Sequence, residues 1–180
     1  MKGAVFIALQ EMIVEKAGLE IWHNVLDAAG NDGVFTATMN YDDAELMALV
    51  GAVCDTLDVS AVEAQRLFGH YLFGFLHRGH PIFADSKPDF FSFIESIGGV
   101  IHLEVVKLDE QARPPKIDVS LNENGTANLT YFSERKLCYL AEGLLNGAAE
   151  HFGIKIKMDH FKCMHDGHEC CEFLVEHERS

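Results

Sequence analysis

Ile117-Asp-Val-Ser-Leu-Asn-Glu-Asn-Gly-Thr-Ala-Asn-Leu-Thr-Tyr-Phe-Ser-Glu-Arg135 decides the fold of the second half of this chain. Residues 117–121 and 127–131 alternate around Asn124-Gly125, a pair suited to the positive φ angles of a tight hairpin, so two antiparallel strands are expected. In extended backbone alternate side chains share a face, which lets Tyr131, Ser133 and Arg135 converge as two hydroxyls and a guanidinium. That trio suits a pair of carboxylates, because charge-assisted and bidentate hydrogen bonds are the strong ones. A solvent-facing strand running into a helix capped by Ser133 accounts for the same residues, so the motif alone assigns nothing.

Beyond it, Ser133 or Glu134 is expected to begin a helix through Leu137, Leu140, Leu144 and Ala148 to about Phe152. Strands at 154–162 and 171–175, joined at Asp166-Gly167, follow. Upstream the pattern is helical. Phe6, Leu9, Ile13 and Val14 lie at helical spacing before a stop at Gly18, and 19–29 reads as a second helix. Asp residues at 42 and 43 open a helix over 44–57. Ser60 opens the next, with Val62, Leu67, Tyr71, Leu72, Phe75 and Leu76 as its apolar face, ending at Arg78-Gly79-His80-Pro81. Residues 90–108 read as helix weakened at Gly98-Gly99 and closed by Arg113-Pro114-Pro115. The expected fold is α+β, a helical N-terminal part packed on a C-terminal antiparallel sheet, as one domain over residues 1–180.

Composition excludes several functions. Lys plus Arg total 14 against 28 Asp plus Glu, a net charge of −14, so the chain has no broad basic surface for nucleic acid and is repelled by anionic membranes. The N-terminal apolar run is cut by Gln10 and Glu11 without a cleavage motif, which argues against a secretory signal, and no run is long enough to span a bilayer. Three of the five cysteines cluster with histidines, a pattern of metal ligation in a reducing compartment. A cytoplasmic protein is expected.

His102 lies in Ser96-Ile-Gly-Gly-Val-Ile-His-Leu-Glu-Val-Val106. Helical side chains lean toward the N-terminus, so its imidazole would sit over Gly98 and Gly99, leaving room for a flat group walled by Val105 and Val106. An axial imidazole facing a carboxylate clamp is a haem pocket in outline. Taken alone, His102 reads as a core histidine bonded to a carbonyl, beside glycines that permit close packing.

Together the Met1-Lys2-Gly3 start, His102 followed by Leu103, Arg113-Pro114-Pro115 and Tyr-x-Ser-x-Arg at 131–135 resemble the haem nitric oxide/oxygen-binding family, H-NOX, over nearly the whole chain. The resemblance implies haem b between the helical part and the sheet, with His102 as proximal iron ligand. It further implies that Tyr131, Ser133 and Arg135 hold the propionates and that Pro115 presses on the porphyrin. Iron-bound oxygen carries partial negative charge and gains from a distal hydrogen-bond donor, whereas nitric oxide needs none. In oxygen-binding members a tyrosine on the following helix supplies that donor, and the matching position here is Leu140. Tyr139 is rotated from it by about a hundred degrees. The other positions expected to face the gas, Val5, Leu9, Leu72, Leu76 and Leu144, are apolar. The expectation is a ferrous haem that binds NO and CO but forms no stable oxygen complex.

The segment His160-Phe-Lys-Cys163-Met-His165-Asp-Gly-His168-Glu-Cys170-Cys171 is dense in zinc-type ligands, and Cys138 on the preceding helix can add a fourth. Sets including His165, His168 or Cys170 compete, and an unliganded reduced tail is the bland account. Resemblance to bacterial H-NOX proteins with a zinc site here implies Cys138, His160, Cys163 and Cys171. The thiolates would then be oxidation-sensitive.

The reading as a whole is a nitric oxide sensor and not an enzyme. NO weakens the His102–iron bond, strain around Pro115 relaxes, and the helix bearing His102 shifts against the N-terminal helices, a change between discrete packings. A separate chain reads the change; resemblance to stand-alone bacterial members implies a histidine kinase or a cyclic-di-GMP enzyme. The rivals are a haem enzyme of peroxidase type, which the absence of distal acid/base groups disfavours, and a zinc-stabilised interaction module without haem.

Overall fold

The computed structural model describes residues 1–102, 107 and 113–178. Seven helices and four strands occur among them. The helices begin with α1 (Gly3–Ala17), α2 (Leu19–Ala29), α3 (Asp43–Leu57) and α4 (Ala61–Gly79). They continue with a single turn, α5 (Ile82–Asp85), and α6 (Phe90–Ser96), and α7 (Cys138–His151) comes after the first hairpin. The sheet consists of β1 (Lys116–Leu121), β2 (Ala127–Phe132), β3 (Ile156–Lys162) and β4 (Cys171–His177), antiparallel throughout in the order β1-β2-β4-β3. The α+β expectation holds.

The start signals act as read. Asp42 and Glu45 form a reciprocal capping box on α3, and the Ser60 hydroxyl accepts from the Glu63 amide at the start of α4. Gly125, at φ 81°, turns the β1-β2 hairpin. One boundary departs from expectation: α7 begins at Cys138, not at Ser133 or Glu134. The Ser133 hydroxyl is not a helix cap, because it accepts from the Arg135 amide inside a tight turn closed by Lys136 N–H on the Ser133 carbonyl. Lys136 is left-handed, at φ 52°, so the helix cannot extend back through it.

The joint expected at Gly98-Gly99 is a π-helical turn, Ile97–Ile101, running from α6 into His102. Its two glycines do different work. A Cβ on Gly98 would lie 1.9 Å from the Ile117 carbonyl oxygen, so this glycine lets the turn press on β1, while a Cβ on Gly99 would meet nothing within 4 Å. Lys107 is helical, and Leu103, Val105, Val106 and Leu108 lie outside the described residues.

Two cores sit on either side of α4 and α7. One, built on the sheet and α6, gathers Phe73, Phe90, Phe93, Leu129, Tyr131, Cys138, Cys171 and Phe173. The other, among α1 to α4, gathers Phe6, Leu9, Trp22, Leu49, Phe68, Leu72, Leu137 and Leu140. Between them α4 and α7 cross at Gly69 and Gly143, where any Cβ would approach backbone oxygen at 2.1 Å. Each helix thus contributes to both cores.

Candidate functional site

Tyr131 and Ser133 are buried, 3% and 7% exposed, and the phenol lies against the Ser133 hydroxyl and the Leu137 backbone. Burial pushes the Tyr131 phenol up to about 12, so it remains a donor at any physiological pH. Arg135 reaches past them. Its Nε donates to Asp43 Oδ2 at 2.6 Å and Nη1 donates to the Arg113 carbonyl at 2.6 Å, which ties the strand end to the start of α3 and to the segment entering Pro115. The N-terminal ammonium donates to the other Asp43 oxygen at 2.8 Å. Burial acts to raise the Asp43 carboxyl, but that ammonium and Arg135 outweigh it and hold the group below the usual carboxylate range. A guanidinium has five N–H donors, and these two bonds leave three for a carboxylate ligand. Tyr131 and Ser133 thus come together as alternation predicts, while the Arg135 guanidinium is bonded to Asp43 and the Arg113 carbonyl and touches the pair only through its backbone amide.

His102 is half-buried, and its Nδ1 atom is buried without a hydrogen-bond partner. Burial lowers its pKa, opposed by the neighbouring Pro115 backbone, so the ring is kept neutral, the form in which imidazole ligates metal. A buried imidazole nitrogen without a partner fits a metal ligand, and Gly99, three positions earlier in the chain, leaves open space where a Cβ would stand.

Of the apolar positions, Leu9, Leu72 and Leu140 are buried together in the helical core, with Val5 and Leu144 packed against them. Leu76 is 40% exposed and belongs to neither core. Tyr139 turns the other way. Its hydroxyl lies 4.0 Å from Cys163 Sγ, its ring stacks on His165 at 5.4 Å, and the Arg66 guanidinium covers it at 5.3 Å. The other three tyrosine hydroxyls have partners of their own: Tyr41 accepts from the Thr36 amide, Tyr71 donates to Glu15, and Tyr131 faces Ser133.

Cys138, His160, Cys163 and Cys171 each bring one ligand atom within 4.8 Å of the others. Cys138 and Cys163 sulfurs are 3.8 Å apart, the edge of about 3.8 Å that a tetrahedron with metal–sulfur bonds of about 2.3 Å requires. Cys171 Sγ accepts from the Met164 amide at 3.3 Å, a second-rank contact that orients it. Burial and the neighbouring thiols push the Cys138 thiol far up, and burial first of all raises Cys171. A cluster this costly to ionise alone is what a cation would relieve. His160 carries the clearest sign: Nδ1 bonds Glu142 Oε1 at 2.7 Å, leaving Nε2 buried with no partner. Glu142 is itself buried and also accepts from Arg66 Nε at 2.5 Å. A carboxylate behind a histidine fixes its tautomer and aim, and composition offered no hint that Glu142 had this place. The competing ligands are elsewhere. His165 Nε2 lies on the Lys136 carbonyl at 2.9 Å, His168 is exposed, and Cys170 is half-buried outside the group.

An α+β chain that combines a buried, unpartnered nitrogen on a neutral histidine ring with a buried Tyr–Ser hydroxyl pair and a nearby-in-sequence guanidinium has the layout of a haem-based sensor domain. The profile of the HNOB family, Haem-NO-binding, matches residues 2–160, and the chain belongs to this family. H-NOX domains are haem-based gas sensors and are not themselves catalytic. The H-NOX protein of S. oneidensis, solved in the Fe(II)NO ligation state, is 37% identical, with a TM-score of 0.93 over 99% of this chain and 100% of that one. The unliganded Fe(II) H-NOX protein of K. algicida is 24% identical over 100% and 98%, at a TM-score of 0.87, a likeness of fold. "Soluble guanylate cyclase gcy-34" of Caenorhabditis elegans is 22% identical over 83% of this chain, which spans only 23% of that protein. No helix among the described residues is long and apolar enough to cross a membrane.

Proposed function

We propose that this chain is a nitric oxide sensor that regulates a separate signalling protein. When bound, ferrous haem b supplies an open iron position for a diatomic gas. His102 would be the proximal ligand, Tyr131, Ser133 and Arg135 would hold the two carboxylates, and Pro115 would press on the ring from the Arg113 side. Val5, Leu9, Leu72, Leu140 and Leu144 would line the gas side, and Leu76, exposed outside that core, would not.

The observation that carries the choice of gas is the orientation of Tyr139, whose hydroxyl lies beside Cys163 while Leu140 takes the place among Leu9 and Leu72. Of the four tyrosine hydroxyls, that of Tyr71 donates to Glu15, that of Tyr139 lies beside Cys163, that of Tyr131 faces Ser133 and that of Tyr41 sits on the Thr36 amide, so none is placed among Leu9, Leu72 and Leu140 as the oxygen-binding arrangement would require. Discrimination then follows from what is missing, since a lining that donates nothing penalises the polar ligand and leaves NO and CO untouched. The same lining lacks the acid and base of a peroxidase.

His102 follows a π-turn that presses on β1 through Gly98, so release of its ring would be felt at the sheet and along α6. The partner would be a histidine kinase or a cyclic-di-GMP enzyme, in the cytoplasm, reading a shift between the helical part and the sheet part. Cys138, His160, Cys163 and Cys171 would hold a structural zinc, and the module would be zinc-stabilised as well as haem-loaded. The test is a Soret spectrum of the reduced protein before and after NO, CO and air. The expected result is nitrosyl and carbonyl spectra with NO and CO and no oxy spectrum with air, only slow oxidation to the ferric form; a stable oxy spectrum overturns the selectivity, and failure to take up haem overturns the reading.

A further inference from the structure

The C-terminal ends of α4 and α7 meet over α5, far from the thiol cluster. Three side chains converge there. His77 Nε2 lies 2.7 Å from Asp85 Oδ1 and His151 Nε2 lies 3.2 Å from the same oxygen, with the two imidazole rings 4.3 Å apart. The three ligand atoms all lie within 4.8 Å of one another. A zinc ion with bonds of about 2.0–2.1 Å to nitrogen and oxygen needs ligand atoms about 3.3 Å apart, so only a small spreading of the group is required.

The rings are held in place. His77 stacks on Phe73 at 6.0 Å with planes 7° apart, and His151 meets Phe152 edge-on at 5.0 Å. The side chains remain 25%, 51% and 27% exposed for His77, Asp85 and His151, which leaves the outer coordination positions to water. Two imidazole nitrogens from two different helices address the same carboxylate oxygen, so both Nε2 atoms and the oxygen converge on one point. Three ligand atoms gathered this closely need little rearrangement to take a cation.

We propose that His77, Asp85 and His151 form a second metal site, selective for zinc or a neighbouring borderline divalent ion. Two imidazoles and one carboxylate match zinc, nickel, cobalt or copper; calcium and magnesium demand oxygen ligands. Along α7 the site lies at His151, about 20 Å from Cys138 at 1.5 Å per residue, so the two sites are separate. A bound ion would clamp the ends of α4 and α7 to α5. Phe73 passes the constraint on, because it meets Phe93 of α6 edge-on at 5.9 Å, on the helix that leads into His102.

The test uses the haem-loaded protein without a histidine tag, its thiol cluster already filled with zinc as measured by metal analysis. Calorimetric titration with zinc should show one further equivalent in the unmodified chain. His77→Gln and His151→Gln should each weaken it by about tenfold or more, and the double variant should lose it, while His23→Gln on α2 keeps it. Nickel added to isotope-labelled protein should broaden the amide signals around residues 77, 85 and 151 before any others, which keeps the test valid if a variant folds poorly. No further equivalent up to about 1 mM zinc, survival of binding in the double variant, or nickel broadening centred elsewhere overturns the proposal.

Discussion

Tyr139 and Leu140 are neighbours on one helix and belong to different regions of the molecule. Leu140 is buried in the helical core with Leu9 and Leu72, and Tyr139 packs on the sheet-side core beside Cys163 and His165. A helix turns about a hundred degrees per residue, so a single step moves a side chain from the gas-facing candidate site to the metal-facing one. The difference teaches how one helix can serve both. In the proposed function the gas side would work by withholding polar groups and the thiol side by concentrating them, with Glu142 bonded to His160 Nδ1.

The largest effect expected concerns the ligand that neither face of α7 supplies. His102→Gly should abolish haem retention, restored by added imidazole; a variant with normal haem absorbance would show that another residue ligates. Next, Cys163→Ser should remove the equivalent of zinc held by the thiol cluster, read by metal analysis, and lower the thermal midpoint by on the order of 10 °C, sparing the gas side. Unchanged metal content would remove the thiol side from the comparison.

Leu140→Tyr should place a donor among Leu9 and Leu72. A net hydrogen bond of about 1 kcal/mol should slow oxygen loss roughly fivefold, read by stopped-flow absorbance in air, and Tyr139→Phe should leave the gas response unaltered. The comparison breaks if Tyr139→Phe is the substitution that changes oxygen binding.

The smallest effect is at Asp43, whose carboxyl is held below its unfolded pKa by the Met1 ammonium and Arg135. A depressed carboxyl stabilises the fold above the ordinary carboxylate range, and that stability is lost as pH falls through the folded value. Its side chain is 41% exposed, so solvent screening limits the contribution to about 0.5 kcal/mol. Asp43→Asn should flatten the acid limb of a stability–pH curve by that much, without altering zinc content.

Most element positions were legible because capping and turn chemistry is local. Asp42, Ser60, Gly18 and Asn124-Gly125 act within a few residues of themselves, and the structure keeps them where the pattern put them. The start of α7 was misread for the same reason in reverse: Ser133 looks like a cap, but the left-handed Lys136 and the bond from Ser133 to the Arg135 amide turn the chain before the helix can begin. Arg135 was recognised as a cation for carboxylates, yet its tie to Asp43 spans 92 positions and has no local trace. Glu142 and the His77–Asp85–His151 group were invisible likewise, since each draws its partners from separate elements.

The sequence by itself determined the α+β division, the hairpin, the shared face of Tyr131 and Ser133, and which residue types were at hand for iron and zinc. Those depend on periodicity, backbone dihedral preference and side-chain chemistry, which belong to short segments. Only the tertiary structure decided which thiols and which imidazole meet, that Gly98 presses on β1 while Gly99 stays open, and that Tyr139 faces sulfur while Leu140 joins the helical core. Those are contacts between segments far apart in the chain, and it is the packing of α7 between two cores that selects them.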